Sequence, residues 1–137
     1  MPCPYCEFNR NNKNKKEENK MKNDLTIHER NFIIFFELIQ KQVHETAKEK
    51  GWWDSPRELG TQLSLFHSEI SEGLEALRTN KQSNKIPGFL GIEEELADLI
   101  IRVMDTSEKY GYKISEAILA KMKYNEGREY RHGGKQF

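Results

Sequence analysis

Two acid-x-x-acid pairs, Glu69-Ile70-Ser71-Glu72 and Glu95-Leu96-Ala97-Asp98, each sit inside a segment whose apolar residues recur at helical spacing. Residues three apart lie on one side of a helix, so each pair projects two carboxylates the same way. Two such helices packed side by side could aim four carboxylates at one spot. At about 5 Å and an effective dielectric near 20, two ionised carboxylates repel by roughly 3 kcal/mol, so such a spot requires protons or a cation. An all-oxygen donor set suits a hard divalent ion, Mg²⁺ or Mn²⁺. The competing reading is a pair of solvated helix faces, and spacing alone leaves both open. Along residues 56–79 the main apolar stripe is Leu59, Leu63, Phe66, Ile70, Leu74 and Leu77, expected to face the core. Glu69 and Glu72 fall on a flanking stripe with Leu65 and Ala76, which predicts half-buried acids in need of partners. In the later segment Leu96, Leu99, Ile100 and Val103 mark the core side, Glu95 borders it, and Asp98 lies further round beside Arg102 and Asp105.

The rest of the chain also reads as helix, with no strand alternation, no repeat and no phosphate-loop glycine motif. The expected class is all-α with four helices. A first helix is predicted from about Leu25 to Lys50, capped by Asp24 and stopped by Gly51. Within it Phe32, Ile33, Ile34, Phe35 and Phe36 are consecutive and cover more than a full turn. A helix apolar all round requires burial on every side, which a 137-residue chain can hardly supply alone, so a homodimer or homotetramer is expected. Gly51-Trp52-Trp53-Asp54 forms a loop whose tryptophans could stack a nucleobase or close the end of the helical bundle. Ser55-Pro56-Arg57-Glu58 has the pattern of a helix start, with Ser55 as cap. That second helix ends near Asn80, and residues 81–91 carry the polar and Pro-Gly residues of a connector. A third helix is predicted from Ile92 to Lys109, stopped by Gly111, and a fourth from Ser115 towards Gly127.

Charge narrows the partners. The formal net charge is zero, so bulk attraction to nucleic acid or to a membrane is not expected. The distribution is uneven: residues 69–98 hold seven acids and three bases, whereas 121–137 hold five bases and two acids. An acidic site with a basic tail suits a metal and a polyanion. No apolar run reaches the length of a membrane span and no signal-peptide core is present, so a cytoplasmic protein is expected. Residues 7–24 are almost devoid of apolar side chains and predict a disordered arm, setting residues 1–24 apart from a single domain over 25–137. Cys3-Pro4-Tyr5-Cys6 is similar to the redox turn of glutaredoxins, but it lacks a preceding strand and a second ligand pair.

Glu69-x-x-Glu72, Glu95-x-x-Asp98 about two dozen residues on, Lys121-x-x-x-Asn125-x-x-Arg128 and the ending His132-Gly133-Gly134-Lys135 follow in order after Gly51-Trp52-Trp53. Together they resemble the MazG-like all-α nucleoside triphosphate pyrophosphohydrolases over roughly residues 25–137. The resemblance implies hydrolysis of a nucleoside or deoxynucleoside triphosphate to the monophosphate and pyrophosphate. It implies Mg²⁺ held by Glu69, Glu72, Glu95 and Asp98, one of which also accepts the proton of the attacking water. It implies contacts from Lys121, Asn125 and Arg128 to phosphate or sugar, and places Trp52 or Trp53 near the base. Glu93 and Glu94 adjoin the second pair and replace Glu95 if the helix register differs. The alternative class is a non-catalytic, metal-stabilised helical oligomer that binds nucleotide as a sensor. A ferritin-like di-iron bundle is set aside because the only Glu-x-x-His spacing, Glu129 to His132, lies in the tail.

Overall fold

In a computed structural model, which describes residues 24–129, the chain forms four helices: α1 (Ile27–Glu49), α2 (Leu59–Arg78), α3 (Gly91–Tyr110) and α4 (Ile114–Glu126). Among the described residues the one strand-like feature is an isolated bridge between Gln82 and Leu90. The class is all-α, as the periodicity predicts.

Local chemistry sets the helix ends. The α1 cap is Thr26 rather than Asp24: its Oγ1 accepts the Glu29 N–H at 3.2 Å, and the Glu29 carboxylate accepts the Thr26 N–H at 2.6 Å. This reciprocal box satisfies two amides that the first turn leaves unpaired. At the other end Gly51 adopts φ 77°, and bonds from Gly51 N–H to Lys48 and from Trp52 N–H to Ala47 close a left-handed stop. The start of α2 departs from expectation. Ser55 is not the cap; Glu58 is, and the helix begins at Leu59. The Arg57 carbonyl accepts the Tyr110 hydroxyl at 3.0 Å, and the first helical bond runs from Gln62 N–H to the Glu58 carbonyl. Leu90 precedes α3, where the Glu93 carboxylate accepts the Leu90 N–H at 2.7 Å, and Gly111 with φ 68° ends it. Lys113 precedes α4, so Ser115 lies inside the first turn, fully enclosed, rather than opening the helix.

The chain divides into two compact units. One contains the described residues up to Leu38 together with those from Lys113 onward. In it the Lys123 ammonium pairs with Glu29 at 2.8 Å, and the Phe32 and Phe36 rings lie 5.6 Å apart. The other spans Ile39–Tyr112 and contains α2 and α3, which pack against each other, with the second half of α1. There Gln40 donates to Glu108 at 2.8 Å, and His44 Nδ1 lies 2.6 Å from Asp105. No helix among the described residues is long and apolar enough to cross a membrane.

The burial pattern reverses one expectation. The predicted core stripe of α2 is largely exposed: Leu63, Ile70 and Leu74 are about half accessible and Leu77 is 64% accessible. On α3, Leu96 and Ile100 are likewise exposed. The inward faces carry Gln62, Glu69, Gly73 and Ala76 from α2, and Gly91, Glu94, Glu95 and Met104 from α3. Small residues account for this choice of face. A Cβ at Gly73 would stand 3.0 Å from Ile92 Cδ1 and 3.5 Å from Glu95 Cβ, and one at Gly91 would stand 3.0 Å from Ala76 Cβ. The flat Gly73/Ala76 surface lets α3 approach closely, which the bulky leucine stripe would prevent.

Candidate metal centre

The close approach of α2 and α3 brings acids from both helices together. Glu69, Glu95 and Asp98 each offer an oxygen, and these atoms lie within 4.8 Å of one another. Glu69 and Glu95 are buried, at 4% and 8% accessibility, and Asp98 is partly covered. Glu72 is exposed and accepts the Ser68 hydroxyl at 3.1 Å. It nevertheless acts on the cluster through its charge. Burial first, and the Glu72 charge second, push the Glu95 carboxyl up from its ordinary range, with Glu94 and Glu69 adding to the effect and Lys85 opposing it.

Among the described residues, Glu95 Oε2 is buried without a hydrogen-bond partner. An enclosed carboxylate oxygen left unpaired costs on the order of 1–3 kcal/mol or more. Its position among two further acids gives that oxygen a purpose if a cation sits there. Among the described residues the donors are all carboxylates, with no thiolate or imidazole, a set that suits a hard divalent ion better than a soft one. The donor set fits Mg²⁺ or Mn²⁺.

Among the described residues, Arg102 and Lys85 border the acids. Arg102 Nε lies 2.5 Å from Glu69 Oε1, and its guanidinium stands 5.4 Å from the centre of the Trp52 ring. Lys85 Nζ, from the connector, is 2.6 Å from Glu94 Oε1 and 4.0 Å from Asp98 Oδ2. Both were outside the set of residues that the spacing singled out for the site. Arg102 carries a usable signal, since it follows Asp98 by four residues and shares its side of the helix. Lys85 carries none, because a connector has no periodicity. The three adjacent acids of α3 have separate work: Glu93 caps the helix, Glu94 takes Lys85 and the Ser83 hydroxyl, and Glu95 enters the cluster.

The two tryptophans differ. Trp53 Nε1 donates to both Asp105 oxygens, at 2.9 and 3.1 Å, while His44 meets its ring edge-on and the Lys109 ammonium covers it at 5.1 Å. Trp53 is thereby built into the contact between α1 and α3. Trp52 is 45% exposed and carries the Arg57 and Arg102 guanidiniums, each 5.4 Å from the ring centre. Of the pair, Trp52 is the more exposed and is linked to the acids through Arg102.

Lys121, Asn125 and Arg128 are exposed and belong to the other compact unit, on α4 and just beyond it. Within it, Lys121 and Arg128 lie over the Tyr124 ring at 4.4 and 5.8 Å. Cys3, Cys6 and the His132–Lys135 ending lie outside the described residues. Comparison with family models, curated proteins and solved structures finds no match for this chain.

Proposed function

We propose that this chain is a Mg²⁺- or Mn²⁺-dependent nucleoside triphosphate pyrophosphohydrolase of the MazG-like kind, forming a nucleoside monophosphate and pyrophosphate. The observation that carries the reading is the unpartnered, buried Glu95 Oε2, set within 4.8 Å of donor oxygens from Glu69 and Asp98. The ordered motif series that resembles this family supplies the reaction class. A divalent ion bound there supplies charge neutralisation and a more acidic water for attack at the α-phosphorus.

The chain's own residues divide the work. Glu69, Glu95 and Asp98 hold the ion, and Glu72, exposed at their edge, completes the ligand set and takes the proton of the attacking water. Arg102 offsets the charge of Glu69 and holds the half-exposed Trp52 beside the site, where a base can reach the ring by displacing a guanidinium. The contacts proposed for Lys121, Asn125 and Arg128, to phosphate or sugar, rest on the sequence resemblance.

Self-association belongs to the same proposal, with a second copy as the partner. It is supported by the outward stripe Leu63, Ile70, Leu74 and Leu77 and by exposed Ile34, Phe35 and Leu38 on α1. Covering the accessible half of each such side chain contributes about 1 kcal/mol.

The test of the site is Glu72→Gln. The variant is expected to keep its helical circular dichroism and lose Mg²⁺-dependent hydrolysis by at least two orders of magnitude. Near wild-type turnover would remove Glu72, and with it the four-acid site, from the reaction.

A further inference from the structure

We propose that Lys85 is a polyphosphate-binding residue of this centre, presented at its rim by the 81–91 connector. The inference rests on the pyrophosphohydrolase reading above.

The connector is too well tied to be a passive link. Gly91 N–H donates to the Lys81 carbonyl at 2.8 Å, Ser83 N–H to Phe89 at 3.0 Å, and Gln82 bridges Leu90. The buried Ser83 hydroxyl donates to the Glu94 carboxylate and accepts the Ile86 N–H at 2.9 Å. Lys85 lies between Ser83 and Ile86, so its backbone is fixed from both sides. Its ammonium then reaches Glu94 at 2.6 Å and stops 4.0 Å from Asp98.

An ordinary surface ion pair would have two exposed partners and little consequence. This pair differs: Glu94 is only 8% accessible and is held by Ser83 as well, whereas the Lys85 side chain is 65% accessible. Glu94 is therefore an anchor, and the ammonium faces outward beside an acid of the metal cluster. An ammonium has three donors, and among the described residues Glu94 is the one carboxylate paired with it at hydrogen-bonding distance. The longer contact to Asp98 weakens once a cation neutralises that acid, while an arriving triphosphate brings several negative charges to the same rim. Arg102 is not equivalent. It is 25% accessible, bound to Glu69 and stacked on Trp52, which leaves it less to offer an incoming anion.

The experiment uses the full chain loaded with Mn²⁺, with inorganic tripolyphosphate as the probe, in wild type, Lys85→Met and Lys85→Arg. Calorimetry reads tripolyphosphate affinity and, separately, Mn²⁺ affinity; steady-state assays read KM and kcat for a nucleoside triphosphate. Lys85→Met is expected to weaken tripolyphosphate binding about tenfold and to raise KM by a similar factor. Its kcat should stay within about threefold of wild type and its Mn²⁺ affinity unchanged or tighter, since a cation near Asp98 has been removed. Lys85→Arg should recover most of the loss. Equal tripolyphosphate affinity in wild type and Lys85→Met would overturn the proposal. So would an equal loss of Mn²⁺ binding, which would mark Lys85 as a support of the acids, and so would a wild type that binds no tripolyphosphate. Lys85-dependent binding in a protein that releases no pyrophosphate would support Lys85 and overturn the hydrolase reading instead.

Discussion

Replacing Glu95 by Gln separates the charge of the buried acid from its shape. Donor oxygens of Glu69, Glu95 and Asp98 lie within 4.8 Å of one another. At that distance and an effective dielectric near 20, each ionised pair repels by about 3.5 kcal/mol. Arg102 on Glu69 and Lys85 beside Asp98 offset most of this, so a net relief of about 1–2 kcal/mol is expected when Glu95 loses its charge. At this chain length 1 kcal/mol moves the midpoint of thermal unfolding by roughly 4 °C. With a chelator present, Glu95→Gln should therefore melt about 4–8 °C above wild type. Divalent ion should reverse the order. At a hundred times its dissociation constant it stabilises wild type by about 2.7 kcal/mol, and the variant by little. The pH dependence has a defined sign. Because the folded-state carboxyl titrates above its unfolded value, the metal-free native protein binds the extra proton, and stability falls as pH rises through that interval. Glu95→Gln lacks that component. Scanning calorimetry with chelator and with Mn²⁺, across that interval, reads all three effects. A variant less stable than wild type in chelator, or stabilised equally by Mn²⁺, would show that Glu95 is not a charged member of a cation site.

Three further outcomes are expected. Gly73→Val pushes a side chain into Ile92 and Glu95, so it should cost about 1–3 kcal/mol in chemical denaturation and weaken Mn²⁺ binding more than its loss of stability explains. Leu74→Glu places a charge in the outward stripe and should convert an oligomer to a monomer by light scattering, with helix content retained. Removal of residues 1–20 should leave metal-dependent turnover within about twofold in a direct assay; a large fall would give the Cys3/Cys6 turn a role in the chemistry.

The ends of α1 and α3 were legible because their stops are chemically explicit: Gly51 and Gly111 both adopt the left-handed conformation that ends a helix. Starts were less legible. Asp24 and Thr26 are both capable caps, and the Glu three residues after Thr26 is what decides between them. Ser55 has the right pattern, but the Arg57 carbonyl is taken by Tyr110, a partner from another helix that no local pattern reveals. The acid cluster was legible as spacing, and burial distinguishes Glu69 from Glu72 within one pair. The direction of the α2 stripe was not. Periodicity identifies the leucines as one face, yet Gly73 and Ala76 form the smoother contact for α3, and the leucines point outward. Lys85 and Ser83 reach Glu94 from a connector, which is why neither could be placed beforehand.

The most direct test of the central proposal is product analysis with a panel of canonical and modified nucleoside triphosphates, each with Mg²⁺, with Mn²⁺ and with a chelator. Pyrophosphate and nucleoside monophosphate are expected from at least one of them, strictly dependent on the divalent ion, with no single-phosphate release. A protein that binds Mn²⁺ but releases pyrophosphate from none, or that releases single phosphate instead, would contradict it.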